Sequence, residues 1–450
     1  MKNLAFLKGF TFRVTILSLF FCGFVFGCLV FSAHGQSEYA KKVAESYLND
    51  PIYHHYVTSG DMLVNKPDYV VFIPKQNPMV LGDRYNDHFQ VIAHDGKFFA
   101  FWTQASRESD IDQHIAFSKS ADGGMTWTPI QVLAGSPNKK NPKLRASWQQ
   151  PMISKSGRIY VLWNQQTSSL GPHWGKCFGI YSDDQGETWS APKEVKIQRT
   201  IKDADPQNPP FWCNWQRPLR LGENGKFLVG SSRFGQSEFW QFENIDENPS
   251  VDQIKIRFFM AKEKALAVPD DEIPEFCDPT CEEPSIVKLP DGRLFTIMRT
   301  HVGYVYWSQS RDQGKTWEKP RKLLNQDGGE PFLHPCSPCP MYDWKGCEAG
   351  SGLYFAIIHN YFDFEKVKEK DFNQDRKQLY LIAGKFMPEA EQPVWFTEPK
   401  LFGPRHRWNS FYTSYTYENG KGILWFNDVK LFLYGRNIGP EWFEGVEELK

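Results

Sequence analysis

The chain has 450 residues, of which 41% are hydrophobic and 16% aromatic, and its formal net charge is −1. A near-neutral chain lacks the electrostatic footprint that nucleic acids or anionic membrane surfaces require, so both are excluded as partners, apart from a possible N-terminal anchor. The 16 tryptophans suit a β-rich scaffold with a sugar-facing site, and they suit an ordinary β-sheet core equally well.

The first 35 residues are predicted to be a signal peptide. Three basic residues precede a long apolar run, and small residues follow at Ser32-Ala33-His34-Gly35, a pattern typical of cleavage before Gln36. A lipoprotein anchored through Cys28 is a less favoured alternative, because Val25-Phe26-Gly27 is a poor lipobox. An uncleaved membrane anchor is the third possibility. In each case we expect an exported protein that is periplasmic, secreted or held at the cell surface.

Residues 36–80 are predicted to form a separate N-terminal segment. Its first part favours a short helix over residues 40–48, which Pro51 would stop. A strand over residues 68–73 follows and ends before Pro74. We expect this strand to complete the last unit of the repeat that occupies the rest of the chain.

Residues 81–450 contain six copies of a phrase in which a polar-Gly turn leads into an apolar strand. The clearest copy is Asp291-Gly-Arg-Leu-Phe-Thr-Ile-Met-Arg299, and the six repeat glycines are Gly96, Gly157, Gly225, Gly292, Gly352 and Gly420. Each unit of roughly 60 to 68 residues has room for four short strands, with no long helical period between them. This period indicates four-stranded blades around an axis, an arrangement that removes exposed sheet edges.

A second repeat, Ser-x-Asp-x-Gly-x-Thr-Trp, begins at Ser120, Ser182 and Ser310. The Asp is expected to accept backbone N–H groups, the Gly to take a positive φ, and the Trp to pack between neighbouring sheets. The motif is therefore a structural turn and carries no information about catalysis.

These turns resemble the Asp-boxes of the sialidase-like six-bladed β-propellers, and the chain resembles that superfamily from about residue 80 to its end. The strongest local match is the stretch from Glu283 to Arg299. The resemblance implies an all-β, six-bladed β-propeller built of four-stranded antiparallel blades.

In a propeller, the polar residues at the start of each innermost strand converge on one face. Eight or nine positions before the repeat glycines stand His88, Gln149, Arg217, Glu283 and Tyr412, with His334 as the equivalent in the fifth unit. Seven or eight positions after them stand Gln104, Asn164, Arg233, Arg299, His359 and Asn427. Polar and chemically varied rings of this kind indicate a carbohydrate or uronate pocket.

The resemblance assigns roles as in a retaining hydrolase. Tyr412 matches the nucleophilic tyrosine, with Tyr415 as a substitute, and Glu283 would take the proton of the nucleophile. An acid from the loop over residues 106–112, with Asp110 as our choice, would protonate the leaving oxygen. Arg299 would pair with a substrate carboxylate. We therefore expect a glycoside hydrolase that acts on terminal acidic sugars of glycans or polysaccharides.

The first unit departs from the sialidase pattern, because Asn86-Asp-His88 stands where that family carries an arginine. Arg376 is our assignment for the third carboxylate-binding arginine. Arg217 and Arg233 are predicted as a different anion clamp, for a uronic acid or a sulfated sugar.

Two further functions stay open. His88, His114 or His334, together with Tyr412 and Arg217, would suit a polysaccharide lyase, in which a base takes the proton next to a uronate carboxylate. A glycan-binding propeller without catalysis would show the same polar rings.

Seven cysteines follow the predicted signal peptide, and the pairs Cys277–Cys281 and Cys336–Cys339 have spacings that also occur among metal ligands. Disulfides or free thiols are the favoured interpretation in an exported chain, and a four-thiolate zinc site is the alternative. No cofactor or metal is predicted for the pocket.

Overall fold

The computed structural model describes residues 37–51, 53–75, 82–137, 144–166, 170–222, 225–261, 264–346, 350–367, 376–406 and 409–450. The predicted signal peptide over residues 1–35, the cleavage site before Gln36 and the cysteines Cys28 and Cys347 lie outside these ranges. Within them, no helix is both long enough and apolar enough to cross a membrane.

Helices are short in the described part of the chain. The α-helices are α1 (Glu38–Ser46), α2 (His54–Thr58) and α3 (Phe364–Val367). Single 3-10 turns lie at Asp61–Leu63, Ile201–Asp203, Ile245–Glu247, Val251–Gln253, Asp270–Glu272, Pro440–Phe443 and Val446–Glu448. Helix α1 begins two residues before the predicted start, because the Ser37 hydroxyl caps it by accepting from the Ala40 N–H at 3.0 Å. The same hydroxyl donates to the Asp68 carbonyl at 3.0 Å and holds the helix against the first strand.

The strands follow one another as antiparallel meanders in chain order. The first two sheets are β2 (Tyr85–His94), β3 (Lys97–Ala105), β4 (His114–Ser120) and β5 (Gln131–Gly135), then β6 (Ala146–Ile153), β7 (Ile159–Gln166), β8 (Gly175–Ser182) and β9 (Lys193–Val195). An eight-stranded sheet holds β10 (Leu219–Arg220), β11 (Phe227–Arg233), β12 (Gln236–Phe242), β13 (Ile256–Phe259), β14 (Cys281–Lys288), β15 (Leu294–Thr300), β16 (Tyr306–Ser310) and β17 (Arg321–Lys322). It consists of two antiparallel groups of four that are joined by a single parallel pair, Gln236 with Cys281.

The last two sheets close the described part of the chain. One holds β18 (Met341–Asp343), β19 (Leu353–Ile358), β20 (Leu379–Phe386), β21 (Val394–Phe396) and β22 (Lys400–Gly403). The other holds β23 (Thr413–Glu418), β24 (Lys421–Asp428), β25 (Phe432–Asn437) and, paired with β25, β1 (Tyr69–Phe72). The expected all-β architecture of mainly four-stranded antiparallel sheets is confirmed.

The hydrophobic core lies between successive strand groups. Six clusters of buried aromatic and aliphatic side chains each join one group to the next. In one of them, Trp425 and Leu433 of the last sheet pack against Phe89 and Trp102 of the first. The last group thus packs on the first. Strands β2, β6, β14 and β23 each begin a group and are called innermost strands below; the site lies near the start of these strands.

The three Ser-x-Asp-x-Gly-x-Thr-Trp turns share one hydrogen-bond pattern. In the first, the Gly124 N–H donates to the Ser120 hydroxyl at 2.9 Å and the Thr126 N–H to Asp122 Oδ1 at 2.9 Å, and the turns at Ser182 and Ser310 repeat both bonds. Each glycine has a positive φ, and a Cβ on Gly124 would lie 2.8 Å from Trp425 of the neighbouring sheet. The turns therefore fasten neighbouring sheets together.

Candidate active site

Three innermost strands carry the same bulge at the same place. In β2, β6 and β14 two residues face a single partner on the next strand, and the first of the two has a positive φ. These residues are His88 (φ 52°), Trp148 (φ 56°) and Glu283 (φ 54°). A non-glycine side chain in this region is uncommon, and bulges re-aim side chains next to active sites. All three residues line one cavity of about 490 Å³.

Tyr412, Glu283 and Arg299 meet in this cavity. The Tyr412 hydroxyl donates to Glu283 Oε1 at 3.1 Å, and Arg299 Nη1 donates to the same hydroxyl oxygen at 3.3 Å. Arg299 Nη1 also lies 3.1 Å from Glu283 Oε2. A hydroxyl in contact with a carboxylate acceptor and a guanidinium donor has the geometry of a nucleophile beside its base.

Glu283 has the electrostatics of a proton acceptor. Burial raises its pKa to about 7; the Arg299 guanidinium opposes this increase, and the adjacent Glu282 carboxylate adds to it. Burial and the charge of Glu283 also raise the pKa of Tyr412 well above its usual value. Tyr412 therefore keeps its proton in the resting site. Glu283 can accept that proton when the tyrosine oxygen forms a bond to substrate.

Arg299 contacts two carboxylates on consecutive residues. Its Nε and Nη2 both donate to Glu282 Oε1, at 3.2 and 2.7 Å. Although burial opposes ionisation of Glu282, the Arg299 charge lowers the pKa of this carboxyl below its usual value. Arg299 thus keeps Glu282 ionised while Glu283 titrates near neutrality.

His88 lies against the nucleophile candidate. Its ring centroid is 4.6 Å from that of Tyr412 and 5.8 Å from that of Trp148. Burial lowers the pKa of His88 to about 4, despite Asp87 Oδ2 at 3.7 Å from its Nδ1. The imidazole is therefore neutral at physiological pH and cannot replace the permanent charge of an arginine.

Arg376 lies on the cavity wall, where its Nε donates to the Cys336 carbonyl at 3.1 Å and its Nη1 to the Ser410 hydroxyl at 3.4 Å.

Lys430, which the sequence did not single out, contributes another cation. Its ammonium lies 2.9 Å from Asp87 Oδ2, 3.2 Å from Glu108 Oε1 and 5.2 Å from the Tyr412 ring centre. The cavity therefore holds three cationic side chains near Tyr412.

The loop over residues 106–112 places a different acid in the cavity from the one we chose. Glu108 lines the cavity, and its side chain is 64% exposed. Asp110 accepts from the Ile111 N–H and pairs with Arg107 at 3.2 Å, outside the cavity lining. Asp112 is fully buried and binds the Ser106 N–H at 3.1 Å. Asp110 is therefore replaced by Glu108 as the acid candidate.

Two residues of the predicted anion clamp lie elsewhere. Arg217 lines a separate pocket of about 210 Å³ together with Tyr415, and donates to the carbonyls of Val91 and Tyr415 at 3.3 and 3.4 Å. Arg233 is buried and paired with Asp203 Oδ2 at 2.8 Å. The two guanidiniums are therefore not a clamp on one ligand.

Three other predicted pocket residues are buried outside the cavity lining and support the backbone. Gln149 donates to the His88 and Phe101 carbonyls, next to the bulge. Asn164 donates to the His173 and Trp212 carbonyls at 3.1 and 3.0 Å. The buried ring of His334 contacts the Ser337 carbonyl at 2.9 Å through Nε2.

Trp148, and not the predicted Gln149, is the residue of strand β6 that lines the cavity. It occupies the bulge position equivalent to His88 and Glu283, and its ring lies 4.7 Å from that of His173 on the cavity wall. Counting nine residues back from Gly157, as for Glu283 and Gly292, reaches Trp148. The spacing alone therefore predicts Trp148, whereas a preference for polar side chains selects Gln149.

The described cysteines form no disulfide with one another. Free thiols, one of the two forms in the favoured interpretation, are thus what the described cysteines show. The alternative, a four-thiolate group of Cys277, Cys281, Cys336 and Cys339, is not formed. Within the described ranges, the one set of three or more potential ligand atoms that all lie within 4.8 Å of each other is Glu282, His301 and Cys336. Cys336 and Cys213 both line the cavity.

Residues 96–420 match the BNR repeat-like domain family. A sialidase from Paraclostridium sordellii is 23% identical over 250 residues, which cover 52% of this chain and 56% of that protein. The match thus spans little more than half of the length of that relative.

Solved structures of low sequence identity share the fold. The NanB sialidase from Streptococcus pneumoniae superposes with a TM-score of 0.57 at 12% identity, over 83% of this chain and 70% of that one. The Trypanosoma rangeli sialidase in complex with sialic acid gives 0.51 at 13% identity, over 80% of this chain and 55% of that one. A Dyadobacter fermentans protein of unknown function gives 0.53 at 13% identity and is covered to 95%.

Proposed function

We propose that this chain, which belongs to the BNR repeat-like domain family and to the sialidase-like superfamily, is a glycoside hydrolase. Its proposed reaction is the removal of a terminal acidic sugar from glycans or polysaccharides. The observation that carries the proposal is the contact of the Tyr412 hydroxyl with Glu283 at 3.1 Å and Arg299 at 3.3 Å. A tyrosine held between a base and a cation suits attack on a sugar that itself bears a negative charge.

The proposed scaffold is a six-bladed β-propeller over residues 81–450, with residues 36–80 as an N-terminal segment. Six antiparallel groups of four or five strands support it, if the eight-stranded sheet is divided at its single parallel pair. A closed ring is supported by the six core clusters, one of which joins the final strand group to the first.

In the proposed mechanism, Glu283 accepts the Tyr412 proton as the phenol oxygen attacks the anomeric carbon. A covalent glycosyl–tyrosine forms, and the bond to the leaving oxygen breaks as a general acid protonates it. Glu108, which lines the cavity, is our candidate for this acid. In the second step the Glu108 carboxylate takes a proton from a water molecule that attacks the anomeric carbon. The bond to the Tyr412 oxygen then breaks, and Glu283 returns its proton to that oxygen.

Arg299 and Arg376 are the proposed partners of the substrate carboxylate, with Lys430 nearby. Two guanidiniums supply bidentate contacts, whereas the neutral His88 supplies no charge where the superfamily has its first arginine. The cavity wall thus offers the substrate anion one arginine fewer than that superfamily does. A uronic or sulfated sugar therefore fits the wall at least as well as sialic acid.

Replacement of the nucleophile tests the proposal. We expect Tyr412→Phe to reduce release of an aryl group from aryl sialosides or aryl glycuronides by more than about 10³-fold. Tyr415→Phe is the matched control, because that tyrosine lies three residues along the same chain segment and lines the other pocket. Equal turnover by the two variants would eliminate the hydrolase mechanism.

A polysaccharide lyase is the second candidate, and one observation favours it. His88 is neutral and can accept a proton, and its ring packs 4.6 Å from that of Tyr412, so a base and a potential acid lie side by side on the cavity wall. A lyase product carries the ultraviolet absorbance of an unsaturated uronate, which a hydrolase product lacks. Absorbance that appears on polyuronates and disappears in His88→Gln would replace the hydrolase with this candidate. Retention on a glycan array without product in either assay would indicate a binding propeller.

We also propose that the protein is exported, on the strength of the basic, apolar and small-residue pattern over residues 1–35. N-terminal sequencing of the protein recovered from outside the cytoplasm is expected to begin at Gln36. A lipidated N-terminal Cys28 would establish the lipoprotein alternative instead.

A further inference from the structure

Three potential metal ligands of different chemistry lie close to one another beside the cavity. They are Glu282 at the start of β14, His301 directly after β15, and Cys336 in the loop before β18, and their ligand atoms all lie within 4.8 Å of each other. Cys336 itself lines the cavity. Two strand ends and a loop remote in sequence thus converge on one point.

The histidine of this cluster has the outer partner that metal-bound histidines have. His301 Nδ1 lies 3.1 Å from Asp278 Oδ2. A carboxylate at Nδ1 holds a proton there and orients the ring, so Nε2 would be the nitrogen that binds a metal. The metal would replace the hydrogen bond that His301 makes with Cys336. Asp278 is in turn fixed by the Thr280 N–H, which donates to its Oδ1 at 2.9 Å.

The carboxylate of the cluster can accept a second cation. Both bonds from Arg299 to Glu282 end on the same oxygen, Oε1. The other oxygen can therefore bind a metal without displacing the arginine.

We propose that Glu282, His301 and Cys336 bind one divalent transition-metal ion, with zinc the best match to the ligand set. A thiolate, an imidazole and a carboxylate are the three ligand types that zinc accepts, and hard cations such as magnesium and calcium do not favour thiolate. Three protein ligands leave a fourth position for water or for an oxygen of a molecule in the cavity, as in open zinc sites.

The neighbouring cysteines do not complete a closed structural site. The Cys277 thiol donates to the His301 carbonyl at 3.3 Å, and the Cys281 sulfur lies 3.5 Å from Met298 Sδ. Both sulfurs are thus occupied by other contacts. Among the described residues, three side chains supply the proposed ligands, and the fourth position is left for a ligand from outside the protein.

Cobalt(II) titration of the reduced, chelator-treated protein tests the proposal without reference to hydrolysis. We expect one Co²⁺ per chain, a near-ultraviolet thiolate-to-cobalt charge-transfer band, and displacement of the ion by Zn²⁺. Cys336→Ser should abolish the band. Cys213→Ser should retain it, since Cys213 is a matched control that lines the same cavity with a similar exposure, 6% against 7%.

A second variant protects the test against misfolding of Cys336→Ser. Asp278→Asn keeps every ligand and is expected to weaken Co²⁺ affinity about 10- to 100-fold through the orientation of His301. Absence of the band in the wild-type protein, or unchanged titrations of both Cys336→Ser and Asp278→Asn, would overturn the proposal. Because the readout is metal binding, failure of the hydrolase proposal would leave this result unaffected.

Discussion

The same innermost strands line two pockets of different character. His88, Trp148, Glu283 and Tyr412 contribute to the 490 Å³ cavity, whereas residues three to five positions later on the same segments line the 210 Å³ pocket. Tyr412 and Tyr415 lie on opposite sides of this division, as do Arg299 and Arg217. In the first cavity a tyrosine, a carboxylate of raised pKa and an arginine are in direct contact. Position along the strand thus decides which polar residues reach this contact.

The largest expected difference between the two pockets concerns their arginines. We expect Arg299→Lys to lower kcat/KM about 10²- to 10³-fold, because a lysine cannot reproduce the planar contacts to Glu282, Glu283 and a substrate carboxylate. Arg217→Lys should change kcat/KM by no more than about twofold, since Arg217 bonds to two backbone carbonyls in the other pocket. Steady-state kinetics on an aryl glycoside measures both. A comparable loss in Arg217→Lys would show that the smaller pocket takes part in substrate binding.

Stability should separate the same two positions. Arg299→Met leaves Glu282 and Glu283 adjacent without their shared cation, and removal of one member of a buried ion pair typically costs about 3–5 kcal/mol. Arg217→Met removes a cation whose bonds are to carbonyls, and we expect a change within about 1 kcal/mol. Urea unfolding of the two variants tests this. Equal destabilisation of the two variants would mean that the charge of Arg299 does not hold the Glu282 and Glu283 carboxylates in place.

The pH profile distinguishes the two consecutive glutamates. Below its pKa of about 7, Glu283 is protonated and cannot accept the Tyr412 proton. On an aryl glycoside with a good leaving group, which needs no general acid, kcat/KM should therefore rise about tenfold per pH unit and level off above pH 7. Glu282→Gln removes a neighbouring negative charge that helps to raise the pKa of Glu283, and should move the midpoint to lower pH. A profile of the Gln variant that is unchanged, or shifted to higher pH, would contradict this electrostatic assignment.

How far the sequence alone predicted the molecule depends on whether a feature repeats. The sheets followed from the repeat glycines and the Asp-turns, because strand length and turn chemistry are local properties. The bulges were not visible, since two residues facing one are a property of strand pairing. Residue counting therefore selected Gln149, although the side chain at the bulge is that of Trp148.

Arg217 shows a second limit of counting. The innermost strand of its group, β10, has two residues and starts at Leu219, whereas β2 starts three residues before His88. Counting eight residues back from the repeat glycine therefore reaches a residue within the strand in the first group, but a residue before the strand in the third. Lys430 and Glu108 came from turns outside the repeat, and only the folded chain brings them to Tyr412.

The smallest expected effect concerns the tyrosine of the second pocket. Tyr415 donates its hydroxyl to the Trp344 carbonyl and packs on Phe355 with ring centres 5.1 Å apart. Tyr415→Phe keeps the ring contact and removes one partly buried hydrogen bond, which should cost about 1 kcal/mol in the free energy of unfolding and leave kcat and KM unchanged. Thermal unfolding together with kinetics checks both parts. A loss of activity at unchanged stability would identify Tyr415 as the nucleophile, and the 210 Å³ pocket would then be the active site.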